Sequence, residues 1–131
     1  TFDFASSNEL WRATVDILDF VPLTNASYSG GIIITDWFNS GAEETKNRNL
    51  KITVKFLSNE IRSNAVKVDV HEKKCNNQNI CTTTLLKSQI SNDIKVAILK
   101  KAAFLEKSKI SENVKNSENK KRKITPDGDL Q

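Results

Sequence analysis

The sequence predicts an α+β domain: an N-terminal helix, a three- to four-stranded antiparallel sheet, and a C-terminal helix packed on that sheet. Three observations predict it. Apolar residues recur at helical spacing in "NELWRATVDILDF" and again from about Ser88. Between these segments, "NLKITVKFL" and "AVKVDV" alternate apolar and polar residues with a period of two. A sheet with one apolar face needs helices to cover it, and 131 residues make one domain of ordinary size.

In the first element, Ser6 followed by Glu9 three positions later forms a capping box that satisfies orphan amides at a helix start. The helix runs to about Asp19. Leu10, Trp11, Thr14, Val15 and Leu18 make its covered face, and Arg12, Asp16 and Asp19 look outward. Pro22 ends it, because the residue before a proline resists the helical region. "LTNASYSGG" reads as a loop; its Asn25-Ala26-Ser27 matches the glycosylation acceptor pattern, a tripeptide frequent by chance. Gly30 and Gly31 allow backbone angles closed to other residues and launch a strand from Ile32 to Phe38, whose β-branched isoleucines suit a pleated sheet.

Next come the two alternating strands, neighbours in an antiparallel pair. Leu50, Ile52, Val54 and Phe56 face inward on one, and Val66, Val68 and Val70 on the other; Lys67, Asp69 and His71 face water. The polar tip "NNQNI" between "AVKVDVHEKK" and "CTTTLL" reads as a hairpin turn bracketed by Cys75 and Cys81. Two cysteines so placed can bond, which would contribute roughly 2 kcal/mol and imply an oxidising compartment. Free thiols are the second reading. A metal site is the poorest, since Cys-x5-Cys plus the single His71 supplies three ligands outside the usual zinc spacings.

The second helix carries Ile90, Ile94, Ala97, Ile98, Lys101 and Leu105 along one stripe, with Phe104 adding bulk to that seam. Residues 1–105 therefore form the domain and 106–131 a charged, disordered tail, where only Ile110, Val114, Ile124 and Leu130 are apolar. The first 105 residues hold 13 basic and 11 acidic residues, a net charge of +2, so the folded part is nearly neutral and lacks the basic face of a dedicated nucleic-acid binder. The run Lys120 to Lys123 could seek phosphate or anionic lipid, but a solvated lysine-rich tail is the plainer reading.

No catalytic residue is assigned. His71, the only histidine, lies on the wet face of a strand with no nucleophile placed beside it. Nucleophile-elbow, Walker and dinucleotide motifs are absent from the sequence, and Gly30-Gly31 precedes a strand where a phosphate cradle needs a helix. Asp16, Asp36 and Asp69 are candidates for paired carboxylates only if two of them converge. No cofactor or metal is expected. The sequence contains no run of about 18 apolar residues that would span a membrane. Methionine is also missing, so residues upstream of Thr1 are expected to have been removed, as a secretory leader, a lipoprotein linker carrying a lipid anchor, or the trimmed start of a cytosolic chain.

One stretch stays open. In "GGIIITDWF" alternation puts Ile33, Thr35 and Trp37 on one face and Ile32, Ile34, Asp36 and Phe38 on the other. Trp37 is expected to pack in the core of its own domain, with Asp36 accepting bonds from Arg12 or a nearby amide. The other reading makes Asp36, Trp37 and Arg12 a partner-binding surface.

The segments "LWRATVDILDFVPL", "GGIIITDWF" and "LKITVKFLSNEIRSNAVKVDVHEK" together resemble a bacterial domain-of-unknown-function family, numbered three-five-seven-six. The resemblance covers most of Leu10 to Leu105 and does not extend to the Cys75/Cys81 pair. It implies a small exported protein, periplasmic, lipoprotein-like and attachable to the outer membrane, and it brings no catalytic residues. The order of elements is also similar to the helix-grip modules of the lipoprotein that accompanies the outer-membrane barrel-assembly machine, an analogy of fold alone. The expected function is thus a non-enzymatic envelope accessory that binds envelope protein and no nucleic acid. The alternative is a small-molecule or lipid-fragment binder with a pocket between helix 1 and the sheet.

Overall fold

The computed structural model describes residues 8–27, 30–39, 41 and 46–123. Helix α1 (Glu9–Ile17) starts at Asn8, whose side-chain Oδ1 accepts the Trp11 backbone N–H at 3.1 Å. Asn8 thus takes the capping role expected of Ser6, which lies outside the described residues. Leu10, Trp11, Ala13, Thr14 and Leu18 are buried, while Val15 is exposed at the side of the stripe. Thr14 donates its hydroxyl proton to the Leu10 carbonyl at 2.8 Å, so its burial leaves no polar atom orphaned.

The sheet is a five-stranded antiparallel meander in chain order. Its strands are β1 (Leu23–Ser27), β2 (Ile32–Thr35), β3 (Arg48–Phe56), β4 (Val66–Cys75) and β5 (Cys81–Leu85), with a 3₁₀ turn at Ser63–Ala65 leading into β4. The architecture of helix, antiparallel sheet and helix is the expected one, and β1 is added where the sequence reads as a loop. That segment has no alternating apolar pattern to betray a strand; it is placed by main-chain pairing with β2, where Ser27 stands opposite Ile32 and Leu23 opposite Thr35. Gly31 has φ 61°, and its carbonyl accepts the Phe56 N–H at 2.8 Å, which is the use of the diglycine turn.

Ile33, Ile52, Val54, Phe56, Val66 and Val70 form the inner face of the sheet and pack against Leu10, Trp11, Ala13 and Leu18 of the α1 region and Ile98 and Ala102 of α2 (Gln89–Lys123). Trp11 meets Phe56 with ring centroids 5.8 Å apart. Phe104, expected in the seam, is exposed, with the Lys101 ammonium 5.7 Å from its ring.

Leu105 is the last α2 residue packed on this core among the described residues. The helix nevertheless continues to Lys123, through the segment expected to be disordered. No glycine or proline interrupts the chain between Gln89 and Lys123, and its Lys, Glu and Leu residues favour helix, so the ladder propagates from the packed turns without burial of its own. Lys109 and Lys101 reach back to Glu9 and Asp16 of α1 at 3.3 and 3.4 Å. The side chains of Lys120 to Lys123 lie outside the described residues.

Candidate functional site

The face of the sheet turned away from the helices is where the sequence and the structure part company. Ile34 stands opposite Thr53, but Phe38 stands opposite Leu50. Four residues on one side therefore span three on the other, an extra residue of the β-bulge kind, located where β2 ends at Thr35. Asp36 leaves the ladder to donate its N–H to the Pro22 carbonyl at 2.9 Å, and Phe38 rejoins it through two bonds with Leu50 of 2.9 and 2.7 Å. Alternation is shifted by one from this point. Phe38 turns inward and meets Phe20 edge-on at 5.4 Å, and Trp37 turns outward. The expectation that Trp37 is a core residue is thus corrected: it is half-buried and stands on the outer face.

There the Trp37 ring lies within reach of two ammonium groups, Lys51 of β3 at 5.0 Å and Lys73 of β4 at 4.9 Å from its centroid. The β3–β4 register, which pairs Lys51 with His71 and Asn49 with Lys73, sets these lysines on one face and one step apart along the strands. Further along, Lys55 stands directly opposite Lys67, and Thr53 opposite Asp69. The Lys67 ammonium is 3.9 Å from Asp69, the face's acidic partner. Ile32, Ile34 and Leu85 border this field, the last 47% exposed. The outer face of the described residues is thus basic, with an aromatic at one end. Lys51 and Lys55 fall outward by alternation with the inward Leu50, Ile52, Val54 and Phe56. Their meeting with Trp37 depends on the bulge, for which the sequence carries no signal.

Of the residues singled out from sequence, Asp36 and Trp37 are joined, the Asp36 carboxylate accepting the Trp37 N–H at 2.8 Å. Arg12 is not with them. It is exposed on α1, which packs on the opposite face of the sheet, and no hydrogen bond or ion pair links it to Asp36 among the described residues. Cys75 and Cys81 are bonded across the β4–β5 hairpin with Cα atoms 4.0 Å apart. The Asn76 side chain accepts the N–H groups of Gln78 and Ile80 at 2.9 and 3.0 Å and so shapes the tip, where Asn79 takes φ 62°.

The space between α1 and the sheet, where a carrier would hold its cargo, is filled by Leu10, Trp11, Ala13, Ile33, Val54 and Phe56, each at most 5% exposed. An open hollow of about 370 Å³ lies elsewhere, lined by Leu57, Val66, Val68, Asn92 and Lys95. Among the described residues no His/Cys/Asp/Glu group could hold a metal ion, and no helix is long and apolar enough to cross a membrane. His71 lies on the outer face opposite Leu85 of β5 and Lys51 of β3.

An uncharacterised protein of Rickettsia prowazekii (strain Madrid E) is 30% identical over 69 residues. That match takes in 53% of this chain and 40% of the relative, so the chain spans less than half the length of that protein. No solved structure matches the chain. The model of the family described as "Domain of unknown function (DUF3576)" matches residues 4–107, which include α1, all five strands and the packed part of α2, and the chain belongs to that family.

Proposed function

We propose that the chain is a non-enzymatic accessory of the bacterial cell envelope, working in the periplasm, that holds an envelope protein on the outer face of its sheet. The observation that carries this reading is Trp37, a large aromatic left half-buried on a sheet face where a bulge has turned it outward between Lys51 and Lys73. Tryptophan is among the side chains that dominate protein interfaces when a partner desolvates them. The Cys75–Cys81 bond supports the compartment, since such bridges persist where the surroundings are oxidising. The helix-grip analogy adds a scaffold of the right kind and no residue roles. The packed interior beneath α1 favours an accessory over a carrier.

The test is a crosslinking capture from native envelopes with wild type and Trp37→Ala in parallel. A reproducible partner held by wild type and lost from the variant is expected. Wild type that captures no partner and carries a bound small molecule on purification overturns the reading.

A further inference from the structure

The two edges of the sheet are not alike. At the β1 edge the pairing with β2 is interrupted by a register shift between Leu23 and Asn25, one of the devices that keeps an edge from recruiting another strand. The β5 edge, "CTTTL", has no such shift, no proline and no charge, and all of its residues are exposed.

The phase of the β4–β5 ladder says which of its main-chain groups are spare. Asn76 donates to Ile80 at one end at 2.9 Å, and Leu86 donates to Val70 at the other at 2.8 Å. In an antiparallel pair bonded and non-bonded positions alternate, so Thr82 and Thr84 spend their N–H and C=O groups on β4. Cys81, Thr83 and Leu85 then turn theirs to the open edge, and among the described residues no hydrogen bond reaches them there. Donors and acceptors repeated every second residue match an extended polypeptide backbone.

The charge around this edge selects among extended chains. Lys73 and Lys74, adjacent on β4, lie on opposite faces of the sheet next to β5, the Lys73 ammonium 4.9 Å from the Trp37 ring and that of Lys74 3.8 Å from Glu72, and Lys87 follows the end of β5. The nearest β4 carboxylate, Glu72, is 7% exposed and engaged by Arg48 and Lys74. The balance of charge beside β5 is positive, with Arg48, Lys73, Lys74 and Lys87 against Glu72.

We propose that β5 is a docking edge for an acidic, extended peptide segment, which adds to the sheet as a sixth strand. This deepens the reading of the chain as an envelope interaction module and names the chemistry of the partner segment. The main-chain groups of Cys81, Thr83 and Leu85 hold the segment's backbone, and the positive balance of charge around β5 favours acidic side chains in it.

The test uses the full chain, amide hydrogen exchange, and three probes. These are the capped peptide Glu-Val-Glu-Val-Glu-Val-Glu, its counterpart with Lys for Glu, and the acidic peptide N-methylated at alternate residues. The acidic peptide is expected to slow exchange at Cys81, Thr83 and Leu85, with the lysine peptide at least about tenfold weaker and the methylated one inert. Thr83→Pro should abolish the effect without unfolding the sheet, because the Thr83 N–H makes no ladder bond and proline is tolerated at such edge positions. If that variant misfolds, the methylated peptide decides the same point in wild type. Equal protection by the lysine peptide, protection confined to other strands, or protection without peptide that grows with protein concentration overturns the proposal, the last by making a second copy the occupant. The envelope capture separates the two claims. Thr83→Pro retaining the partner that Trp37→Ala loses overturns the edge and leaves the partner reading standing. Wild type capturing nothing overturns that reading while the peptide result still decides the edge.

Discussion

Thr35 lends its side-chain oxygen to the Ile52 backbone N–H at 3.0 Å, a bond that crosses from β2 to β3 where the main-chain ladder loses step. The same hydroxyl donates to the Asp36 carbonyl at 2.9 Å. Both contacts sit at the extra residue that separates the Ile34–Thr53 pair from the Phe38–Leu50 pair. The bulge would otherwise leave a buried donor on Ile52 without an acceptor, and Thr35 supplies one from a fully buried position.

Thr35→Val, which keeps the shape and removes the oxygen, should therefore destabilise the fold by about 1–3 kcal/mol, the cost of an orphaned buried donor. Urea denaturation with an unchanged m-value would check it. A variant within a few tenths of wild type would mean that the Ile52 N–H finds water or another acceptor.

Two tryptophans should respond in opposite ways. Trp11 is 3% exposed against Phe56 in the core, and Trp11→Ala should cost about 3–5 kcal/mol. Trp37 stands outside that cluster, so Trp37→Ala should change stability by no more than about 1 kcal/mol. Equal losses at the two positions would place Trp37 in a second core that the outer face does not suggest.

The contrast between these residues also marks where the sequence was legible. Helical spacing identified Leu10, Trp11, Thr14 and Leu18, and the period of two identified Ile52, Val54 and Phe56, because each pattern is set by many residues facing one core. Straight alternation through Asp36 groups Trp37 with the inward Ile33 and Thr35, and one inserted residue reverses that grouping. β1 has no side-chain signature in the sequence because backbone pairing with β2 places it. The candidate site is thus the part of the fold that depends on a bulge and on register, while the core depends on composition and period.

The hairpin bond gives a third expectation. Replacing Cys75 and Cys81 together by Ser removes a closure across a sequence separation of 6, and the chain-entropy account puts the loss at roughly 2 kcal/mol. Denaturation of the double variant beside wild type measures it. Protein taken from its native compartment should show no reactive thiol, and two reactive thiols there would remove the support for an oxidising location.

The end of α2 gives the last. Past Leu105 the described helix packs on nothing in the core, and Ile110 and Val114 are 57% and 53% exposed. The contact of Lys109 with Glu9 is a surface ion pair 3.3 Å long, of the class worth about 0–1 kcal/mol. Removing the residues after Lys109 should accordingly lower the helical signal in far-ultraviolet circular dichroism, since an ordered segment is lost, while the thermal midpoint stays nearly where it was. The two readings are independent, so the result is diagnostic. An unchanged helical signal would mean that the segment is unfolded in solution, and a midpoint lower by several degrees would mean that it docks on the domain.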